Sequence, residues 1–181
     1  MKTKCYLYVI TAMVLLFSCN SKKNEYDPYK IIDGKPKKEV SKSSFEIKFK
    51  DIGTQAKAKT IHVKLNDAVS FDALFDTGCS YVSISEAEAL PLMKAGTLSE
   101  SNHSGYAETS MADGNRTYQK VYELKMVSVV DTNGKEHTLY DVPTTIESNM
   151  AAPFLLGTYV IDNLAQKSYT VDLKKNVIRF E

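Results

Sequence analysis

Apolar and polar residues alternate along most of the chain beyond residue 44, with the two-residue period of strands that bury one face. The alternation is clearest in residues 45–49 (Phe-Glu-Ile-Lys-Phe) and 61–65 (Ile-His-Val-Lys-Leu). The sequence predicts further strands at Val69–Phe75 and at residues 81–84, 118–130, 137–146, 169–173 and 176–180. We expect the strand at 137–146 to break near Pro143, because proline donates no ladder hydrogen bond.

Short turn-forming pairs separate several of these strands. We predict turns at residues 66–67, 113–114, 133–134 and 174–175. The second and third are Asp-Gly and Asn-Gly pairs, which adopt the left-handed backbone of tight hairpins without strain. Residues 103–108 show no alternation, and they are predicted to form a loop.

Two helices interrupt the strand pattern. Ser85 and Glu88 have the spacing of a capping box, which predicts a helix at Glu86–Lys94. We expect Pro91 to kink or restart this helix and Gly96 to end it. A second, shorter helix is predicted at residues 159–164. Residues 45–181 are therefore predicted to form one mostly-β domain with one or two short helices, which is long enough to enclose a single core.

Residues 1–18 have the layout of a secretory signal peptide. A basic start precedes an apolar run at residues 6–17, which is too short for the roughly 20 residues that a membrane-spanning helix needs. The run ends in Leu-Phe-Ser directly before Cys19, and this ending resembles a bacterial lipobox. The resemblance implies lipidation at Cys19. The alternative is an ordinary signal peptide cleaved nearby, with Cys19 as a bystander.

Residues 19–44 are predicted to be the lipidated cysteine followed by a flexible tether. The segment is rich in Lys, Ser and Asp, contains two prolines and shows no hydrophobic period. We therefore expect a domain anchored by lipid in the envelope of a bacterium, and Asn20 directly after the cysteine favours the outer membrane. The lysine run at residues 35–42 is expected to be solvated tether, with attraction to anionic lipid headgroups as the alternative.

The composition is that of an ordinary globular protein, with 43% hydrophobic and 25% charged residues among 181. The net charge of +1 disfavours nucleic-acid binding, which needs a basic excess. Only three cysteines are present. Cys5 lies in the signal peptide and Cys19 is the lipidation candidate, so Cys79 is left without a disulfide partner.

The candidate chemistry lies at Asp76-Thr77-Gly78, between the predicted strands at Val69–Phe75 and 81–84. This position puts a carboxylate at a sharp turn between two apolar strands. Gly78 allows the backbone to pass close to Asp76, and the Thr77 hydroxyl can hold the loop. A second carboxylate nearby would split the two titrations, and a pair that shares one proton can activate water and protonate a scissile amide.

The segment resembles the active-site loop of aspartic proteases, and the short domain resembles their retropepsin-like branch, including its bacterial members. That family has a late signature of apolar residues and a glycine before a short helix, which residues 154–157 (Phe-Leu-Leu-Gly) match. Between the two signatures it has a β-hairpin flap, and residues 110–116 occupy that position. The resemblance covers residues 71–180.

The resemblance implies a retropepsin-like acid-protease barrel that acts as an aspartic endopeptidase on a peptide or protein substrate. It implies catalytic roles for Asp76, Thr77 and Gly78. It implies that the flap and cleft residues that bind substrate are Ala112, Asp113, Gly114, Leu156 and Gly157. Each chain supplies one aspartate, so a homodimer is expected, with no metal or organic cofactor.

Other interpretations of these residues stay open. Asp76 could be only a turn carboxylate, and the same fold could hold peptides or envelope polymers without cleaving them. A lipocalin-like carrier is disfavoured by the predicted helix and the late Leu-Leu-Gly sequence. His62, His103 and His137 show no metal-ligand spacing, so we expect each to be exposed on a strand face or a loop and not to bind a metal.

Cys79 departs from the resemblance, because the family usually has Ala, Ser or Thr at this place. A thiol donates hydrogen bonds weakly, so the expected dyad titrates nearer neutral than in a Ser-bearing relative. We predict that Cys79→Ser moves the activity optimum to lower pH. A lone thiol beside an apolar strand is more often a packed small hydrophobe than a nucleophile. Tyr118 and Tyr122 are expected to pack on a strand or to line a cleft.

Overall fold

The computed structural model describes residues 38–39, 43–54, 57–110, 114 and 116–181. The predicted signal peptide, Cys19, most of the tether, and Ala112 and Asp113 lie outside the described residues. Within them the chain forms, in order, β1 (Lys38–Glu39), β2 (Phe45–Lys48), β3 (Lys50–Ile52), β4 (Ala58–Leu65), β5 (Val69–Phe75), β6 (Val82–Ser85), α1 (Glu86–Lys94), a 3-10 turn (Glu100–Asn102), β7 (His103–Ser110), β8 (Arg116–Val130), β9 (Glu136–Glu147), β10 (Leu155–Leu156), α2 (Thr158–Leu164), β11 (Tyr169–Asp172) and β12 (Val177–Phe180).

The larger sheet closes into a barrel. Its strand order is β1-β9-β6-β10-β5-β4-β8-β7, and β8 also pairs with β9. That extra pairing joins β9, β6, β10, β5, β4 and β8 into a ring, which leaves β7 outside it as the partner of β8. A second sheet of order β11-β12-β2 shares the same core through Phe45, Ile178 and Phe180. The predicted mostly-β architecture is confirmed.

Alternation places the core where the sequence predicts it. Ile61, Val63 and Leu65 of β4 are at most 1% exposed, and Lys64 between them is bonded to surface carboxylates. Antiparallel pairing with β5 and β8 then buries one face of β4 inside the barrel. The predicted turn at residues 133–134 connects β8 and β9, with Gly134 at a φ of +83°.

The predicted loop at residues 103–108 is wrong, because this segment belongs to β7. The strand lies at the edge of the sheet and pairs only with β8 among the described strands, with a register shift between His103 and Gly105. Pairing with the long β8 therefore determines its conformation, although the local sequence has no strand period.

The break predicted near Pro143 is also wrong, because β9 continues through it. The ladder between β9 and β6 begins one residue later, at Thr144. On the β6 side Pro143 therefore lies just before the ladder, so its missing N–H costs no bond there, while on the β8 side it pairs in register with Glu123.

The helix predictions are confirmed. In α1 the Ser85 N–H donates to Glu88 Oε2 at 2.8 Å, and the Ala87 N–H donates to Ser85 Oγ at 3.0 Å. The helix continues through Pro91 as one element, so the restart expected there does not occur. It ends where Gly96 takes a φ of +68°, and the Thr97 N–H returns to the Leu92 carbonyl, as in a Schellman motif. Among the described residues, none of the helices is long and apolar enough to span a membrane.

Candidate active site

Asp76 directly follows β5, beside the short strand β10 that is inserted between β5 and β6. β10 runs parallel to β5 and antiparallel to β6. The Asp76 N–H donates to the Leu156 carbonyl at 3.1 Å, and the Leu74 N–H donates to the Phe154 carbonyl at 2.8 Å. The late Leu-Leu segment therefore holds the backbone of Asp76 in place from behind.

The loop after Asp76 orients the carboxylate with its own backbone. The Gly78 N–H donates to Asp76 Oδ1 at 2.8 Å, and the Cys79 N–H approaches the Asp76 carbonyl at 3.4 Å. A Cβ on Gly78 would lie 3.2 Å from Asp76 Oδ1, which is a tight contact. Asp76 is half-buried, while Thr77 and Gly78 are exposed.

Gly157 and the start of α2 support the same loop. A Cβ on Gly157 would lie 2.1 Å from the Tyr81 carbonyl oxygen and 2.6 Å from that of Cys79, so only glycine fits. The Thr158 N–H donates to the Cys79 carbonyl at 2.8 Å, and the Tyr159 N–H donates to the Ser80 carbonyl at 2.9 Å. The two predicted signatures are thus brought into direct contact.

A cleft of about 420 Å³ opens in front of Asp76. On the loop side its lining includes Asp76, Gly78, Cys79 and Ser80. On the other side β7, β8 and β9 contribute Glu108, Thr109, Gln119 and Glu147. The strands that flank the predicted flap, β7 and β8, therefore form the wall opposite Asp76, and Gly114 between them has a φ of +85°.

The segment that contains β10 contributes Leu155 to the cleft, and not the predicted Leu156 and Gly157. Leu155 lines the cleft, whereas Leu156 is fully buried and Gly157 is buried behind the loop. Leu156 and Gly157 thus contact the loop that carries Asp76, and neither lines the cleft. The alternation of side chains along β10 separates the two leucines, and the sequence gives no sign of which one faces outward.

A chain of hydrogen bonds joins the flap strands to the cleft wall. The Thr109 hydroxyl donates to Gln119 Oε1 at 3.0 Å, and Gln119 Nε2 donates to Glu147 Oε1. These three residues come from β7, β8 and β9. Nothing in the sequence marks them as neighbours, because their proximity depends on strand register.

The Cys79 thiol lines this cleft. Its Sγ donates to the Tyr81 carbonyl at 3.2 Å. Burial raises the pKa of Cys79 above its ordinary value, and the charges of Asp76 and Glu147 raise it further. No histidine is among the described residues that line the cleft, so the imidazole base that usually activates a cysteine nucleophile is not beside Cys79 there.

The three histidines lie outside this cleft. His62 Nδ1 contacts Asp72 Oδ1 at 3.0 Å on an exposed face, as expected. The exposure expected for His137 is wrong, because this side chain is fully buried, with its ring stacked on Phe45 and its Nε2 at 3.0 Å from Asp131 Oδ2. His103 packs against Tyr122 at 5.7 Å between ring centroids. Across the part of the chain that the structure describes, no three His, Cys, Asp or Glu side chains form a group that could hold a metal ion.

Comparison with known proteins identifies the fold. No protein-family model matches the sequence, and no curated protein matches it. Among solved structures, the chain is similar to a retropepsin-like aspartic protease from Rickettsia conorii, with 18% identity and a TM-score of 0.50. The match covers 81% of this chain and 94% of that one. The predicted retropepsin-like fold is therefore confirmed, and at this identity the likeness establishes the fold alone.

Proposed function

We propose that the protein is an aspartic endopeptidase that hydrolyses peptide bonds at Asp76. The observation that carries the proposal is a half-buried carboxylate, held by the Gly78 N–H at 2.8 Å, at the mouth of a cleft that a β-hairpin faces. An extended peptide entering this cleft can pair its backbone with neighbouring strands. Its scissile carbonyl would then lie close to Asp76.

The reaction needs a second carboxylate, and we propose that a second copy of the chain supplies it. A two-fold axis at the Asp76 loop would bring the two aspartates together in one isologous site. Thr77 and Gly78 are exposed in the single chain, so this loop has a surface that a partner could cover. The ionised carboxylate takes a proton from water, and the protonated one donates to the amide as it is attacked.

The proposal also includes the membrane anchor. Lipid attached at Cys19 would hold the protease domain at the bacterial envelope, with residues 20–44 as the spacer, and Asn20 directly after the cysteine favours the outer membrane. Three acyl chains bind a bilayer far more firmly than one. Cys19→Ala should move the protein from the membrane pellet to the soluble fraction, and an unchanged distribution would count against the anchor.

Peptide cleavage tests the catalytic proposal. The purified protein, expressed from the full sequence, is incubated with a peptide library made from a bacterial proteome, and new termini are identified by mass spectrometry. Asp76→Asn should abolish cleavage, while Asp162→Asn, at an exposed position on α2, should leave it unchanged. Cleavage that survives Asp76→Asn would refute the mechanism. Binding without cleavage by the unsubstituted protein would instead support a peptide-binding module.

A further inference from the structure

A second and larger groove lies beside the cleft, between helix α1 and the flap strands. We call it the α1 groove, and its volume is about 620 Å³. Its lining includes Glu86, Leu90 and Met93 of α1. On the opposite wall are Tyr118 and Gln119 of β8 and Glu147 of β9.

The helix presents apolar side chains to this groove that the core does not use. Ala89 and Leu92 of α1 are at most 1% exposed and belong to the core. Leu90 and Met93 lie one turn apart on another face, and they are 43% and 41% exposed. Tyr118 across the groove is 42% exposed. Three large, half-exposed apolar side chains around one concave surface are typical of a binding site.

The α1 groove is continuous with the cleft that contains Asp76. Gln119 and Glu147 line both, and a hydrogen bond joins these two side chains at the boundary they share. A peptide lying in the cleft therefore needs only to extend past Gln119 and Glu147 to enter the groove. This continuity favours a substrate segment as the occupant over an unrelated ligand.

The charges around the groove indicate which peptide would fit. Lys120 and Glu100 face each other at 3.5 Å, so these two charges offset one another. Glu86 and Glu147 form no ion pair with any described residue. Around the cleft, Asp76 adds further negative charge. The surface is thus complementary to a lysine or arginine beside an apolar residue.

We propose that the α1 groove is an extended substrate subsite, which binds a flanking peptide segment with an apolar residue next to a basic one. The apolar side chain packs between Leu90, Met93 and Tyr118, and the basic side chain lies near Glu86 and Glu147. This inference rests on the proposed function, because it treats the cleft as the place of cleavage. It adds a specificity determinant, α1, that lies outside the Asp76 loop.

Binding without turnover tests the groove directly. Full-length protein carrying Asp76→Asn is applied to an array of peptides in which one apolar and one basic position are varied systematically. Replacing Leu90 and Met93 by serine, singly and together, should weaken binding of peptides with the apolar–basic pair, by about tenfold for the double change. Leu173→Ser, at another exposed leucine that is 67% exposed, is the matched control and should change nothing.

Two charge-reversal variants test the proposed preference for a basic residue in the peptide. Glu86→Lys should reduce the preference for lysine or arginine over glutamine about threefold, since one exposed charge contributes modestly. Glu123→Lys makes the same charge change at an exposed position outside both lining sets and should leave the preference intact. Binding that is indifferent to Leu90, Met93 and Glu86 would overturn the inference.

A cleavage assay with the same peptides separates the two proposals. Peptide binding that depends on the groove residues, with no cleavage by the unsubstituted protein, would support the groove as a binding site and refute the proposed protease activity. Cleavage that is unchanged by the substitutions at Leu90 and Met93 would support the proposed protease activity and refute the groove as a substrate subsite. Absence of both binding and cleavage would refute both. Thermal unfolding of each variant should stay within a few degrees of the parent, because the replaced side chains are at least partly exposed.

Discussion

Asp131 and Asp76 each follow a strand and begin a turn, and the surroundings of the two carboxylates differ. Asp131 follows β8 and is 8% exposed. Its Oδ1 accepts the N–H groups of Asn133 and Lys135 at 2.8 and 2.9 Å, and its Oδ2 contacts His137 Nε2 at 3.0 Å. Asp76 follows β5, is half-buried beside a cleft, and within the described residues its side chain accepts one hydrogen bond, from Gly78.

The difference shows what each carboxylate does for the fold. Asp131 holds its own turn together, and both of its oxygens are occupied in doing so. The Asp76 loop is held by backbone bonds from Leu156, Thr158 and Tyr159, and its carboxylate is largely left for the cleft. The oxygens of the structural aspartate are hydrogen-bonded within the turn that it stabilises. The candidate catalytic aspartate is instead positioned by backbone groups of other segments.

The largest effect is expected where the support of the Asp76 loop is removed. Gly157→Ala would place a Cβ 2.1 Å from the Tyr81 carbonyl oxygen, so β10 or the loop must shift. We expect a loss of about 3 kcal/mol or more in the free energy of unfolding, together with loss of any cleavage. Urea denaturation of Gly157→Ala is the measurement. Wild-type stability would show that the backbone contact does not hold the loop.

Removing each aspartate separates the two roles. Asp131→Ala leaves three donors without their acceptor and should cost about 3 kcal/mol. Asp76→Asn keeps the shape of the side chain at a half-exposed site, so its unfolding free energy should change by less than about 0.5 kcal/mol. Urea denaturation of both variants at pH 7 measures the two free energies of unfolding. Equal destabilisation by the two changes would contradict the structural role assigned to Asp131 alone.

Acid should weaken the Asp131 turn selectively. Burial alone would raise the pKa of Asp131, but hydrogen bonds from His137 and the backbone of Lys135 and Asn133 outweigh it and lower the pKa. A carboxyl whose native pKa is depressed contributes stability above the ordinary carboxyl range, and the contribution is lost as pH falls through the native pKa. The stability difference between wild type and Asp131→Ala should therefore shrink from pH 7 to pH 3. A constant difference would argue against this linkage.

Local signals made much of the fold predictable. The bounds predicted for β5 and α1 match the structure, because a polar turn ends one and a capping box begins the other. The strand β7 could not be predicted, since only its partner β8 determines it. The meeting of Gln119 with Glu147 depends on the register in which Val121 faces Thr145. Sequence spacing carries no information about such pairings. The residues of the cleft wall could therefore not be predicted, although Asp76 could.

Subunit mixing tests the central claim most directly. Wild-type and Asp76→Asn chains are co-purified in equal amounts after denaturation and joint refolding, and peptide cleavage is compared with wild type alone at the same total concentration. If two Asp76 side chains make one site, only dimers of two wild-type chains cleave, and the mixture should retain about a quarter of the activity. Retention of about half would mean that each chain acts alone, which would contradict a shared dyad.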